Sequence, residues 1–228
     1  MSRIPAYGLV RRNILAAAAT FSNKTGAFDM AKLVFFVGGA GAGKTTLAKA
    51  LASKRRAVVL DMDTLLRPAA VALMTLAGLD PDDRDSPEYK RLCRDLGYRI
   101  TMDAAWENIG VGNDTFVIGP FTKETDDPDW IERELARSGV PASEVETKLV
   151  LVHLPSQEAY RQRIEHRSTA IDLWKLDNWS EFSRSLAPRT PKWRLPASCM
   201  LRYDNSRPFD ETQLSLLEAF VYEERDRE

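Results

Sequence analysis

Cysteine and histidine are nearly absent from this 228-residue chain, which has two of each. Cys93 and Cys199 lie far apart without a CxxC, which argues against a disulfide scaffold and a structural zinc site and fits a reducing, cytoplasmic compartment. His153 and His166 have no metal-ligand spacing and read as structural or solvent-exposed. An excess of one charge is lacking too. With 32 basic against 33 acidic residues there is no global electrostatic footprint for nucleic acid or an anionic membrane. No apolar run approaches the roughly 20 residues of a spanning helix, and there is no internal repeat or low-complexity tract. What remains, at 44% hydrophobic residues, is enough for one substantial core and one elaborated domain.

The chain is organised around Gly38, Gly39, Ala40, Gly41, Ala42, Gly43, Lys44, Thr45 and Thr46, which follow the apolar run Leu33-Val34-Phe35-Phe36-Val37 and precede a helical pattern. This is GxxxxGK[ST] between a strand and a helix, the context that a phosphate-binding loop requires. Glycines let backbone N–H groups approach phosphate oxygens with no Cβ in the way, and the helix aims its positive N-terminal end at the same anion. Lys44 is then expected on the β- and γ-phosphates and the Thr45 hydroxyl on Mg²⁺.

Residues 1–30 read as an extension. Arg11-Arg12 followed by small apolar residues has the flavour of a targeting segment, but the apolar part is short, and Met30 stands just before the first strand. A loosely ordered extension or an upstream start is the favoured reading, with the domain itself at 31–228.

A second strand, Arg56 to Asp63, ends in two carboxylates. Alternation puts Asp61 and Asp63 on one side if the strand runs through both. Strand carboxyl ends border the ligand crevice of an open α/β sheet, so at least one acid is expected to do chemistry, and N-capping of the next helix is the bland alternative. The stretch 64–114 is longer than a crossover needs and reads as a helical insertion of two helices. The first ends near Gly78. The second is capped by Ser86 with Pro87 at its first position and carries Tyr89, Leu92, Cys93, Leu96, Ile100 and Ala104 as its apolar face, with Arg91, Arg94 and Arg99 turned to solvent. Such an insertion is a place to hold an acceptor, or only a structural cap.

The third strand, Thr115 to Ile118, is followed by Gly119, where a mechanical ATPase often has an acid. That departure moves the metal's carboxylate duty to Asp61 or Asp63. A fourth strand ends at Pro155 and leads into a helix bearing Arg163 and Arg167 four residues apart on one face. Beside the polar stretch Ser168–Asp172 this predicts a lid over 156–187 that brings arginines to transferring phosphates, with Lys175 a weaker candidate. The alternative is a pair of surface arginines bridged to Glu158 or Glu165. A fifth strand near 198–203 precedes the loop Asp204-Asn205-Ser206-Arg207-Pro208, expected near the nucleotide base. Trp174, Trp179 and Trp193 read as core or lid packing.

From Lys32 to Pro208 these residues resemble the small P-loop kinases of metabolite, nucleotide and polynucleotide 5′-hydroxyl type, including the gluconate kinase, zeta toxin and chloramphenicol phosphotransferase families of the P-loop NTPase superfamily. The resemblance implies a three-layer α/β/α fold with a parallel five-stranded sheet in the order 2-3-1-4-5. It also implies ATP and Mg²⁺ as cofactors and transfer of the γ-phosphoryl group to a hydroxyl of a small molecule. Asp63 and Arg67 match the group's acceptor base and the arginine after it, and Arg163 and Arg167 its lid arginines, leaving Thr45 and Asp61 for the metal. The acceptor is unidentified, since 64–114 matches no substrate signature. Two alternatives stay open: a polynucleotide 5′-hydroxyl kinase, which needs a basic channel that the composition does not advertise, and a nucleotide-dependent switch or ATPase acting on a protein partner. GTP use is also open, although no Asn-Lys-x-Asp stretch is present.

Overall fold

The computed structural model describes residues 30–167, 172–187 and 189–223. The extension predicted at 1–30 therefore lies outside the described residues except for Met30, as do residues 168–171 of the stretch predicted as a lid. The strands are β1 Ala31–Val37, β2 Val58–Asp61, β3 Thr115–Ile118, β4 Val145–His153 and β5 Met200–Asp204. They form one sheet, all parallel, in the order β2-β3-β1-β4-β5. That is the predicted order.

β1 is central, and all seven of its residues are buried. A strand covered on both faces reads as a continuous apolar run rather than an alternation. Its pleat still sorts the two layers. Val34 and Phe36 pack with Leu47, Leu51, Phe116 and Val152 on one face, while Leu33, Phe35 and Val37 meet Tyr98, Met102, Trp106 and Trp193 on the other. Phe35 stands edge-on to Phe121 and Trp193, at 5.3 and 5.0 Å between ring centres, and Trp193 stacks on Trp130. Trp193 is thus a core residue, as its sequence context predicts.

The helices are α1 Lys44–Arg55, α2 Met62–Leu76, α3 Pro87–Tyr89, α4 Asp95–Ile109, α5 Thr122–Asp126, α6 Trp130–Ser138, α7 Gln157–Arg167, α8 Leu173–Asp177, α9 Trp179–Phe182 and α10 Glu211–Tyr222. The buried Lys148 of β4 donates to the carbonyls of Phe220 and Val221 at the end of α10, placing a cation where that helix carries partial negative charge.

Two local expectations need correction. β2 stops at Asp61, so Asp61 and Asp63 do not alternate along one strand. Asp61 instead caps α2, its Oδ1 accepting from the Asp63 N–H at 3.1 Å. In the insertion, α3 and α4 are joined by a π-helical turn, Lys90–Arg94. Wider i→i+5 winding rotates every later residue relative to a regular helix. Beyond Cys93 the buried face becomes Tyr98, Thr101, Met102, Ala105, Trp106 and Ile109, and Leu96 is exposed. Arg94 and Arg99 are turned by the same shift toward α5 and α6, pairing with Glu124 and Glu134 rather than facing solvent.

Candidate nucleotide and acceptor site

The loop 38–43 leaves β1 with Gly38, Gly41 and Gly43 at φ +145°, +82° and +95°. A Cβ on Gly38 would run into the carbonyl oxygen of Val152, and one on Gly43 into the Asn205 amide. Only glycine fits this closely wrapped turn. α1 starts directly after it, with Leu47, Ala48, Leu51 and Ala52 anchoring the helix in the core. Lys44 folds back so that Nζ donates to the Gly39 carbonyl at 2.9 Å. Burial pushes its ammonium down to about 8, partly offset by Asp63 and Asp61, while Arg167 and Lys175 push the same way as burial.

This loop floors a cleft of about 870 Å³ at the carboxyl ends of the strands, lined also by Thr45, Asp61, Asp63, Arg163 and Arg167. The Thr45 hydroxyl donates to Asp61 Oδ2 at 2.8 Å. Asp63, one residue into α2, faces the same space. From α7, Arg163 reaches the Ala42 carbonyl at 3.5 Å and also donates to the Asn205 carbonyl. Arg167 is held by both oxygens of Asp172, a residue that also accepts from Lys175 at 3.3 Å. Glu158 and Glu165 are engaged instead by Gln162 and Arg161. A second concavity of about 630 Å³ adjoins the first through Gly43, Thr46, Arg163 and His166 and continues along Asn205, Arg207, Pro208 and Phe209.

Most residues singled out from sequence therefore meet at one cleft. Arg67 does not line it. Its guanidinium is bound to the Pro81 carbonyl at 3.1 Å and to Asp82 at 2.6 Å, tying α2 to the loop before α3. Three participants escaped the sequence reading. Asn205 lay in a loop assigned to the base, but its bond to the Ala42 carbonyl, at 2.7 Å, is a contact across 163 positions. His166 lines both hollows. Arg84, from the same loop that Arg67 holds, lines the main cleft without belonging to any motif.

The cleft wall after β3 has its own support. Phe121 is fully buried in the left-handed region at φ +45°, and its N–H donates to the Tyr98 hydroxyl at 3.0 Å. Burial raises the Tyr98 hydroxyl far above its usual range. Arg94 lies over the Tyr98 ring and grips Glu124 through two bonds of 2.9 and 2.8 Å.

A parallel sheet with a glycine loop after its central strand, two acids at the end of β2 and arginines on a helix across the cleft defines a P-loop protein with a kinase-like fold. Residues 33–184 match the family described as AAA domain, and the chain belongs to that family. A search of the curated proteins finds no significant match. Among solved structures, the chain is similar to a putative kinase from Chloroflexus aurantiacus, at 16% identity and a TM-score of 0.62 over 85% of this chain and 100% of that one. A sugar kinase from a Janibacter species matches at 16% identity and a TM-score of 0.54, covering 85% of this chain and 95% of that one. The APS kinase of Mycobacterium tuberculosis, solved with AMPPNP and APS, matches at 20% identity and a TM-score of 0.50, over 83% and 96%. These likenesses define the fold, and the family implies nucleotide binding. Among the described residues no helix is long and apolar enough to cross a membrane.

Proposed function

We propose that this protein is an ATP-dependent phosphotransferase that moves the γ-phosphoryl group to a hydroxyl of a small-molecule acceptor. The observation that carries this reading is the convergence, in one cleft, of a phosphate loop, two carboxylates and two arginines. The glycine loop fits a polyphosphate because its glycine backbone turns directly into the N-terminus of α1, and the Lys44 ammonium stands beside it. The oxygens of Thr45 and Asp61, 2.8 Å apart, are the ligand chemistry that Mg²⁺ takes. Bound there, Mg²⁺ would neutralise charge on the phosphates.

In this reading the adjoining concavity takes the base, while the loop amides and Lys44 hold the β- and γ-phosphates. Asp63 accepts the proton of the acceptor hydroxyl as its oxygen bonds to the γ-phosphorus. The bond from that phosphorus to the bridging oxygen breaks, and ADP leaves. Arg163 and Arg167 balance charge on the equatorial oxygens. Positioning and electrostatics supply most of such catalysis.

The test is mass spectrometry of pooled sugars, sugar acids, nucleosides and aminoglycosides incubated with protein, ATP and Mg²⁺, with Lys44→Ala as control. A product heavier by one phosphate with wild type alone supports the reading. ATP hydrolysis with no phosphorylated product, and none on oligonucleotides, favours the switch instead.

A further inference from the structure

We propose that Arg84 binds a negatively charged group of the acceptor, so that the substrate is a hydroxylated anion such as a sugar acid or a phosphorylated polyol. This rests on the phosphotransferase reading above. Arg84 lines the main cleft together with Asp63, but it does not line the adjoining concavity, whereas Arg163 and His166 line both. It therefore stands toward the acceptor end, away from the base.

The other cations of the cleft are engaged. Lys44 is bound to the Gly39 carbonyl, Arg163 to the carbonyls of Ala42 and Asn205, and Arg167 to Asp172. The Arg84 side chain has no hydrogen bond or ion pair among the described residues. Asp85, its neighbour in the chain, feels the charges of Lys175, Lys90 and Arg84, but burial outweighs them and raises that carboxyl group, and no ion pair joins Asp85 to Arg84 among the described residues.

The loop is held from both ends. Arg67 binds Pro81 and Asp82, and the Asp83 carboxylate accepts from the N–H groups of Asp85 and Ser86 just before α3. A half-buried guanidinium on a pinned loop has already lost part of its hydration and much of its freedom. Pairing with a carboxylate or phosphate through its planar fork is then favourable, and a neutral hydroxyl offers far less.

The experiment compares D-gluconate, D-glycerate and glycerol 3-phosphate with the neutral D-sorbitol and glycerol as acceptors, using full-length protein, ATP and Mg²⁺. Wild type should favour the anions in kcat/KM. Arg84→Ala should shrink the anion-to-neutral ratio by about tenfold or more, mainly through KM, and Arg84→Lys should restore part of it. Equal use of both sets by wild type would overturn the proposal while leaving the phosphotransferase standing. A loss in Arg84→Ala shared equally by anionic and neutral acceptors would also overturn it, because Arg84 would then act on the transferred phosphoryl group. Transfer to neither set, while the pooled screen yields a phosphorylated neutral acceptor, would overturn this inference and leave the phosphotransferase standing; no product in either assay, with ATP only hydrolysed, would fail both.

Discussion

The Thr45 hydroxyl and the Asp61 carboxylate, 2.8 Å apart, join the first turn of α1 to the last residue of β2. Asp61 has two duties, because its other oxygen caps α2. Substitution can separate them. Asparagine is as good an N-cap as aspartate, but it is a poorer ligand for a hard cation. Asp61→Asn should unfold within a few tenths of a kcal/mol of wild type by urea titration and need more Mg²⁺ to reach half-maximal activity. Asp61→Ala should lose the cap as well, at about 1 kcal/mol.

Asp63 faces the cleft one position inside α2, and its side chain is not the helix cap. Asp63→Asn keeps size and polarity but cannot accept a proton. We expect phosphoryl transfer to fall by at least about a hundredfold, with nucleotide affinity by calorimetry close to wild type. Transfer at the wild-type rate would remove Asp63 as the base.

Lys44 makes binding pH-dependent with a definite sign. Its ammonium titrates near 8 in the free protein, lowered from 10.5 chiefly by burial. Phosphate anions placed beside it favour the charged form and raise that value, so nucleotide binding takes up a proton around pH 8. Calorimetry at pH 8 in buffers of different ionisation enthalpy should show uptake of about half a proton. Affinity should fall as pH rises above 8, and Lys44→Ala should abolish the uptake. The same shift makes the unfolded chain bind more protons than the nucleotide-free fold between 8 and 10.5, so this group's contribution to stability rises with pH across that window.

Asn205 donates to the Ala42 carbonyl from a buried position and so fixes the outer side of the phosphate loop. Asn205→Ala should weaken nucleotide binding by about tenfold, by loosening that loop. Asn205→Asp should be worse than alanine, because it sets a carboxylate oxygen against a carbonyl oxygen. The order asparagine, alanine, aspartate in nucleotide Kd is the outcome to check.

Tyr98 satisfies the N–H of Phe121 at a left-handed, fully buried position. Tyr98→Phe keeps the ring and orphans that donor. A loss of about 1–3 kcal/mol in unfolding free energy is expected, along with reduced transfer, since Gly119 on the same loop lines the cleft.

The glycine loop, Lys44, Thr45 and the acids after β2 were legible because their geometry is local. Six consecutive residues between a strand and a helix set the loop's path, and the end of a parallel strand always opens on the crevice. Arg163 and Arg167 were legible for a similar reason, since helical spacing alone puts them on one face. The face of α4 was not, because a single π turn at Lys90–Arg94 shifts the period that sequence reading assumes. Nor could sequence show that Arg67 would be spent on Pro81 and Asp82, that Asn205 would close on Ala42, or that Arg84 would reach the cleft with no hydrogen bond or ion pair among the described residues. The sequence by itself determined the phosphate loop and the class of sheet built around it, through contiguous residues whose own backbone preferences suffice. Only the tertiary structure decided which distant loops complete the cleft, because those contacts depend on how helices and loops pack rather than on local spacing.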